Sequence, residues 1–138
     1  MRRLTFGMVL AAVAVTVAGC VGSATPFDQA RTSDDAVPPD AVKYIENADV
    51  NSSRYQGDAD GHALYLLRGT GEMKTCLVYT DGTADGSFSS CSGGGWLKFS
   101  PADGAEFVVQ VSGFSDEPGA GEVQVSPWVR QTRQGRDE

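Results

Sequence analysis

Residues 76–91 read CLVYTDGTADGSFSSC, and this stretch decides the fold of the chain. It opens with a short apolar run, Cys76 to Tyr79, and two Asp-Gly pairs follow at Asp81-Gly82 and Asp85-Gly86. Such pairs favour tight turns, so the pattern predicts a β-hairpin whose second strand returns around Phe88. The hairpin places Cys76 and Cys91 at its outer ends, where a disulfide can join the two strands.

The N-terminus carries a targeting signal. Arg2 and Arg3 precede an apolar run, Leu4 to Val17, which closes in Val17-Ala18-Gly19-Cys20. A positive start followed by a short apolar run is typical of an export signal and is left out of the fold. The last four residues resemble the lipobox of bacterial lipoproteins. That resemblance implies cleavage after residue 19 and a diacylglyceryl group on the thiol of Cys20.

An uncleaved membrane anchor is the alternative interpretation, because Leu4 to Val21 is at the short limit for a membrane-spanning helix. Both interpretations place the rest of the chain at the extracytoplasmic face, since the positive end stays inside. Outside the cytoplasm Cys76 and Cys91 are an even pair that is expected to oxidise. A redox-active pair is the alternative, but such cysteines usually lie close together in sequence.

Composition and charge limit the remaining classes of function. Cleavage before Cys20 leaves 119 of the 138 residues, with nine basic against 18 acidic residues and a net charge of −9. This length suits one domain, and the acidic balance argues against a nucleic-acid partner. The predicted organisation is a signal peptide over 1–19, a flexible tether over 20–39, a β-rich domain over 40–131 and a disordered tail over 132–138.

The domain reads as short strands separated by Gly- and Asp-rich turns, after one or two helical turns within 40–47 capped by Asp40. A run that is apolar on both faces, His62 to Arg68, predicts a central strand. The predicted strands cover residues 53–56, 62–68, 76–79, the stretch around 88, 96–99, 106–111 and a last one at 122–125. This spacing is typical of a small antiparallel β-sandwich or an open barrel, with the disulfide inside one hairpin.

A second resemblance covers residues 53–91. The positions that carry it are Ser53-Arg54-Tyr55, Gly61, Leu64-Tyr65, Arg68, Cys76-Leu77-Val78 and Ser90-Cys91. They are similar to short envelope lipoproteins and membrane proteins of actinobacteria, a group without an assigned activity. The resemblance supports the fold and implies no mechanism.

The sequence offers little chemistry. His62 is its only histidine, which excludes metal motifs that need two. Asp58 with Asp60, and Asp49 with Asn51 and Ser53, alternate like the start of a calcium loop but lack its glycine and glutamate, so they are interpreted as turn residues. We therefore predict no catalytic residue, no metal site and no cofactor.

These observations favour a non-enzymatic binding or accessory module, held at the cell membrane through Cys20 and facing an envelope protein or a cell-wall component. A small-molecule or glycan-binding lipoprotein is the first alternative, and a hydrolase using His62 is the second. The candidate partner-contact residues are Trp96, Trp128, Arg54 and Arg68. For the two tryptophans the competing interpretation is a lid on a small core, and for the two arginines it is pairing with surface carboxylates.

Overall fold

The computed structural model describes residues 24–101 and 105–133 and contains two antiparallel four-stranded sheets. Sheet A consists, in spatial order, of β1 (Ala48–Ala59), β2 (His62–Gly69), β3 (Thr75–Thr80) and β4 (Ser87–Ser92). Sheet B consists of β5 (Trp96–Phe99), β6 (Ala105–Gln110), β8 (Val129–Arg133) and β7 (Glu122–Ser126). The two sheets share one core, so the fold is a β-sandwich, as the turn spacing predicted. The predicted signal peptide over 1–19 and Cys20 lie outside the described residues.

The hairpin of residues 76–91 forms as predicted. Cys76 and Cys91 are directly opposite each other in the ladder between β3 and β4, and their sulfurs are bonded. The Asp81 carboxylate accepts a hydrogen bond from the Thr83 amide at 2.8 Å, which holds the turn between the strands. Closing a loop of this length stabilises a small domain by about 3 kcal/mol in the chain-entropy model.

Alternation along the strands places one row of apolar side chains of each sheet in the shared core. The rings of Tyr79 from sheet A and Phe107 from sheet B have centroids 5.3 Å apart. Phe107 and Val109 are fully buried and Val111 packs against the same cluster, as the alternation within 106–111 predicted. The buried members contributed by the strands are Ala59, Leu64, Leu66, Leu77, Tyr79, Leu97, Ala105, Phe107, Val109 and Val129.

The outer face of sheet A is buried as well, because the chain before β1 covers it. Val37 and Ala41 lie in a second cluster with the outward-facing side chains of β2 and β3, including Leu67 and Val78. This covering explains why β2 is apolar on both faces and lies in the interior of its sheet.

The expectation of a flexible tether over 20–39 is wrong for residues 24–39. These residues form two short 3₁₀ turns, η1 (Pro26–Asp28) and η2 (Ser33–Asp35), and then enter α1 (Pro39–Val42). Pro26 and Val37 are buried, and polar bonds tie the segment to β1. The domain therefore extends to residue 24 rather than beginning at residue 40.

Asp35 is the centre of those polar bonds. Its carboxylate accepts backbone N–H groups from Thr32 at 2.7 Å and from Tyr55 of β1 at 2.8 Å. Its carbonyl accepts the hydroxyl of the buried Ser53 at 2.5 Å. Burial alone raises the pKa of Asp35, but the two N–H donors, the Thr32 hydroxyl and the charge of Arg54 outweigh it and lower this pKa below its ordinary value.

Three further boundaries differ from those predicted. The strand expected over 53–56 is the twelve-residue β1, which passes through two register irregularities and ends in a tight turn with Asp60 and Gly61 at positive φ. A strand follows the one predicted at 122–125, because β8 returns through residues 129–133. Thr132 and Arg133 therefore belong to a strand and not to the disordered tail, and the rest of that tail lies outside the described residues.

The helical stretch expected over 40–47 is the single turn α1, and its N-cap is Pro38 rather than Asp40. The turn predicted over 101–104 lies mostly outside the described residues.

Asp35 provides a test of the integrated N-terminal segment. We expect Asp35→Asn to lower the free energy of unfolding at pH 7 by about 1–3 kcal/mol, because the amide nitrogen cannot accept a backbone N–H. Since the folded-state pKa of Asp35 is lowered, its contribution is present above the unfolded value near 4 and is lost as pH falls through the folded value. Urea unfolding at pH 7 and at about pH 2 measures this. Asp34→Asn, at an exposed neighbour, is the control; equal losses in the two variants would contradict the assignment.

Candidate functional site

Two of the four predicted contact residues border one groove at the end of the sandwich. Trp96 opens β5 and is 53% exposed, and Arg68 lies exposed near the end of β2. Trp96 borders a depression of about 540 Å³ and Arg68 borders one of about 520 Å³. Both depressions are lined by Thr25, Gly95 and Val111, so they adjoin. We name this surface the Thr25 groove.

The N-terminal segment forms part of the groove wall. The guanidinium carbon of Arg68 lies 5.1 Å from the centroid of the Phe27 ring, within range of a cation–π contact. The Asp28 carboxylate accepts the Thr25 amide at 2.7 Å. That bond is the main reason why the pKa of Asp28 is lowered, and the charge of Arg68 adds to it. The turn over Pro26–Asp28 therefore fixes the ring and the carboxylate beside Arg68.

The loop between β2 and β3 forms the opposite wall. Gly69 donates its amide to the Lys74 carbonyl at 2.9 Å, and Thr70 donates to the Asn47 carbonyl at 2.8 Å. A Cβ on Gly69 would lie 2.4 Å from the backbone of Met73, so this close approach requires glycine. The loop thereby holds the half-buried Met73 and the exposed Lys74 on the groove.

Trp128, the third predicted contact residue, has a structural role and does not line the groove. It is 7% exposed, belongs to the shared core, and donates its indole N–H to the Ala24 carbonyl at 2.9 Å. The lid interpretation therefore describes Trp128, whose polar edge fixes the start of the described chain. Arg54 likewise holds this segment, because its Nε donates to the Gln29 carbonyl at 3.1 Å.

A second cleft of about 750 Å³ lies between the loop over 113–121, the turn between β7 and β8, and the N-terminal segment. Arg130, 5% exposed, is at its base. Its guanidinium stacks 4.1 Å from the Phe114 ring centroid, donates to Gln124 at 2.8 Å and to the Asp116 carboxylate at 3.1 Å, and lies 3.7 Å from Glu122. The cation is engaged by these partners, so its role in this cleft is to hold the 113–121 loop.

His62 lies flat against a core ring. Its imidazole stacks on Tyr79 with the ring centroids 4.0 Å apart and the planes 7° from parallel, and its Nδ1 is 3.1 Å from the Asp60 carbonyl. Its charge contributes to the lowered pKa of Asp81, after the larger contribution of the Thr83 hydroxyl and amide. The ring face of Tyr79 and the backbone carbonyl of Asp60 are not nucleophiles that an imidazole could activate. A catalytic role of His62 stays a hypothesis without a supporting contact.

The aspartates that alternate in the sequence have protein partners. Asp60 accepts hydrogen bonds from the Gln131 amide and, at 2.9 Å, from Arg133, which ties the turn after β1 to sheet B. Asp49 accepts the Asn51 amide at 3.0 Å. Within residues 24–101 and 105–133, no three His, Cys, Asp or Glu side chains converge as metal ligands.

Sequence reasoning missed the N-terminal side of the groove and the Arg130 cluster. One local signal was present, because Thr25-Pro26-Phe27-Asp28 and Thr32-Ser33-Asp34-Asp35 both follow the pattern of a capping box. No comparable signal marks Arg130, whose partners lie 6 to 14 residues away on a loop and a neighbouring strand.

In the part of the chain that the structure describes, no helix is both long and apolar enough to cross a membrane.

We expect Arg130→Gln to lower the free energy of unfolding by about 1–3 kcal/mol, because it removes charge-assisted bonds and leaves the Asp116 and Glu122 carboxylates beside each other. Arg130→Lys keeps the charge but not the planar fork, so it should recover only part of the loss. Guanidinium unfolding measures both, with the exposed Lys43→Gln as the control. A loss for Arg130→Gln within about 0.5 kcal/mol of zero, as for an ordinary surface position, would contradict this role.

Comparison with known proteins finds no relative of this chain. No protein-family model matches the chain, and no curated protein or solved structure matches it significantly. Functional inference therefore depends on the contacts and charges of this chain alone.

Proposed function

We propose that this protein is a lipid-anchored module at the extracytoplasmic face of the cell membrane, where its β-sandwich acts as a non-enzymatic binding or accessory domain. One observation carries the proposal: the residue that would bear the lipid, Cys20, is four positions before Ala24, whose carbonyl is held by the indole of Trp128. The anchor would then enter the domain at a defined place. That place would be the boundary between the Thr25 groove, which Thr25 lines, and the cleft of about 750 Å³, which Ala24 lines.

The short connection changes what the anchor does. A flexible tether over residues 20–39 would have an end-to-end distance of roughly 25 Å. Because residues 24–39 pack on the domain, only four peptide steps separate Cys20 from Ala24, and these reach about 14 Å at most. The domain would lie against the membrane rather than stand clear of it.

Confinement of this kind supports a binding role. A module kept within about 14 Å of the bilayer meets a membrane-associated partner at a high effective concentration, so a weak contact suffices. The groove offers Trp96 for such a contact, with Arg68 at its other end. The net charge of −9 after the predicted cleavage speaks for an envelope partner rather than a nucleic acid.

The anchor itself is testable by metabolic labelling with a clickable palmitate analogue. We expect the full-length protein to carry the label and to be released from membranes by detergent but not by salt. Cys20→Ala should abolish the label, because the acceptor thiol is gone. Cys91→Ala is the matched control, which removes a different thiol and should keep the label. Equal labelling of the wild type and Cys20→Ala would contradict the proposal.

A further inference from the structure

We infer that the Thr25 groove is a membrane-contact surface, with the lipid headgroup region of the bilayer as its occupant. Trp96 would lie among the headgroups, and Arg68 and Lys74 would face their phosphates. The inference rests on the proposed function, because the anchor on Cys20 is what brings the groove to the bilayer. It goes further in fixing which side of the domain touches lipid.

The groove lies beside the N-terminal end of the described residues. Thr25 lines both of its depressions, and Ala24, whose carbonyl binds the indole of Trp128, lines the neighbouring cleft of about 750 Å³. The four peptide steps from Ala24 to Cys20 reach about 14 Å at most, so a lipid on Cys20 would keep both the groove and this cleft near the bilayer. With the thiol of Cys20 at the lipid surface, the end of the sandwich that carries the groove is the end that faces the membrane.

Trp96 provides an exposed indole on this surface. Trp96 is 53% exposed on β5, and its depression joins the one bordered by Met73. Indole has an apolar body and one N–H donor, and for that reason tryptophan concentrates at membrane–water interfaces. Among the described residues, four other large apolar side chains are exposed, but they do not line the groove: Tyr44, Tyr55, Phe88 and Val123.

Arg68 and Lys74 place two positive charges on the groove. Within residues 24–101 and 105–133, neither Arg68 nor Lys74 forms an ion pair, although Arg68 stacks on Phe27 and its charge acts on the nearby Asp28. The other described cations are engaged differently. Arg31 and Arg54 donate hydrogen bonds to Ser53 and Gln29, and the rest are paired with carboxylates: Lys43, Lys98, Arg130 and Arg133. The two groove cations beside an exposed indole suit lipid phosphates. The net charge of −9 after the predicted cleavage opposes binding of the whole domain to an anionic bilayer. The contact should therefore need the lipid anchor and should not form with the unanchored domain.

The test uses the intrinsic fluorescence of the full-length acylated protein in vesicles. The protein is purified in detergent and reconstituted into phosphatidylcholine vesicles containing about one-fifth phosphatidylglycerol, with and without brominated acyl chains. We expect the brominated lipid to quench the wild type. Trp96→Phe should lose most of this quenching, because Trp128 is buried in the core.

A relocated indole is the matched control. The double variant Trp96→Phe/Phe88→Trp moves the exposed indole to the start of β4, beside the turn that joins β3 to β4. The other end of β4, at Ser92, is the end near the groove. The double variant should bind vesicles equally but show little quenching by brominated lipid, and an aqueous quencher should reach its relocated indole. Arg68→Gln combined with Lys74→Gln should reduce the quenching of Trp96, and Lys43→Gln should not.

The outcomes separate the two proposals. An acylated protein that binds vesicles while Trp96 is quenched no more than the relocated indole would overturn the membrane-contact surface and leave the anchored module standing. The same holds if position 96 crosslinks in cells to one protein while it stays unquenched in vesicles. A protein that carries no acyl group would overturn both proposals together. Quenching that depends on Trp96 and on acylation would support both.

Discussion

The bonds of Asp35 are the constraint on which the rest of the structure depends. The Asp35 carboxylate joins the turn at residues 32–35 to the outer edge of sheet A by accepting the backbone N–H of Tyr55. The backbone carbonyl of Asp35 accepts the hydroxyl of Ser53. Strand β1 is an edge strand, so without this partner its outward N–H would be left to water or to another chain. The same bonds position Val37 and Ala41 over sheet A. A segment that looks like a linker thus closes one face and one edge of the domain.

Much of the sheet structure was predictable from local patterns. The hairpin of residues 76–91, the central strand β2 and the alternation in β6 each carry a two-residue period or a turn signal that needs no distant partner. The N-terminal segment carries no such period. Its apolar residues are single and separated by prolines and charges, and its stability comes from contacts 18 to 25 residues away. Strand β8 was missed because Arg130 and Gln131 are buried polar residues that do not alternate with apolar ones. Arg130 pairs with Gln124 on the neighbouring strand of its own sheet, and Gln131 pairs across the sandwich with Asp60.

The candidate site was also predictable only in part, because the sequence shows residue types but not the distant contacts that decide their roles. Trp96 and Arg68 stood out by residue type, and their proximity follows from the loops between β2 and β3 and between β4 and β5 meeting at one end of the sandwich. Trp128 and Arg54 have the same residue types but hold the N-terminal segment in place. Composition cannot separate a tryptophan that covers a core from one that faces solvent, because the difference is made by distant contacts. Trp128 packs in the shared core, and its indole binds a carbonyl 104 residues earlier.

Amide hydrogen exchange at Tyr55 tests most directly whether the N-terminal segment is a fixed part of the domain. Its N–H points to the Asp35 carboxylate and not to a neighbouring strand, so its protection reports the docking of the segment. We predict that this amide exchanges far more slowly than that of Glu117 in the exposed 113–121 loop, and that Asp35→Asn removes the difference. Exchange of the Tyr55 amide as fast as that of Glu117 in the wild type would contradict the account.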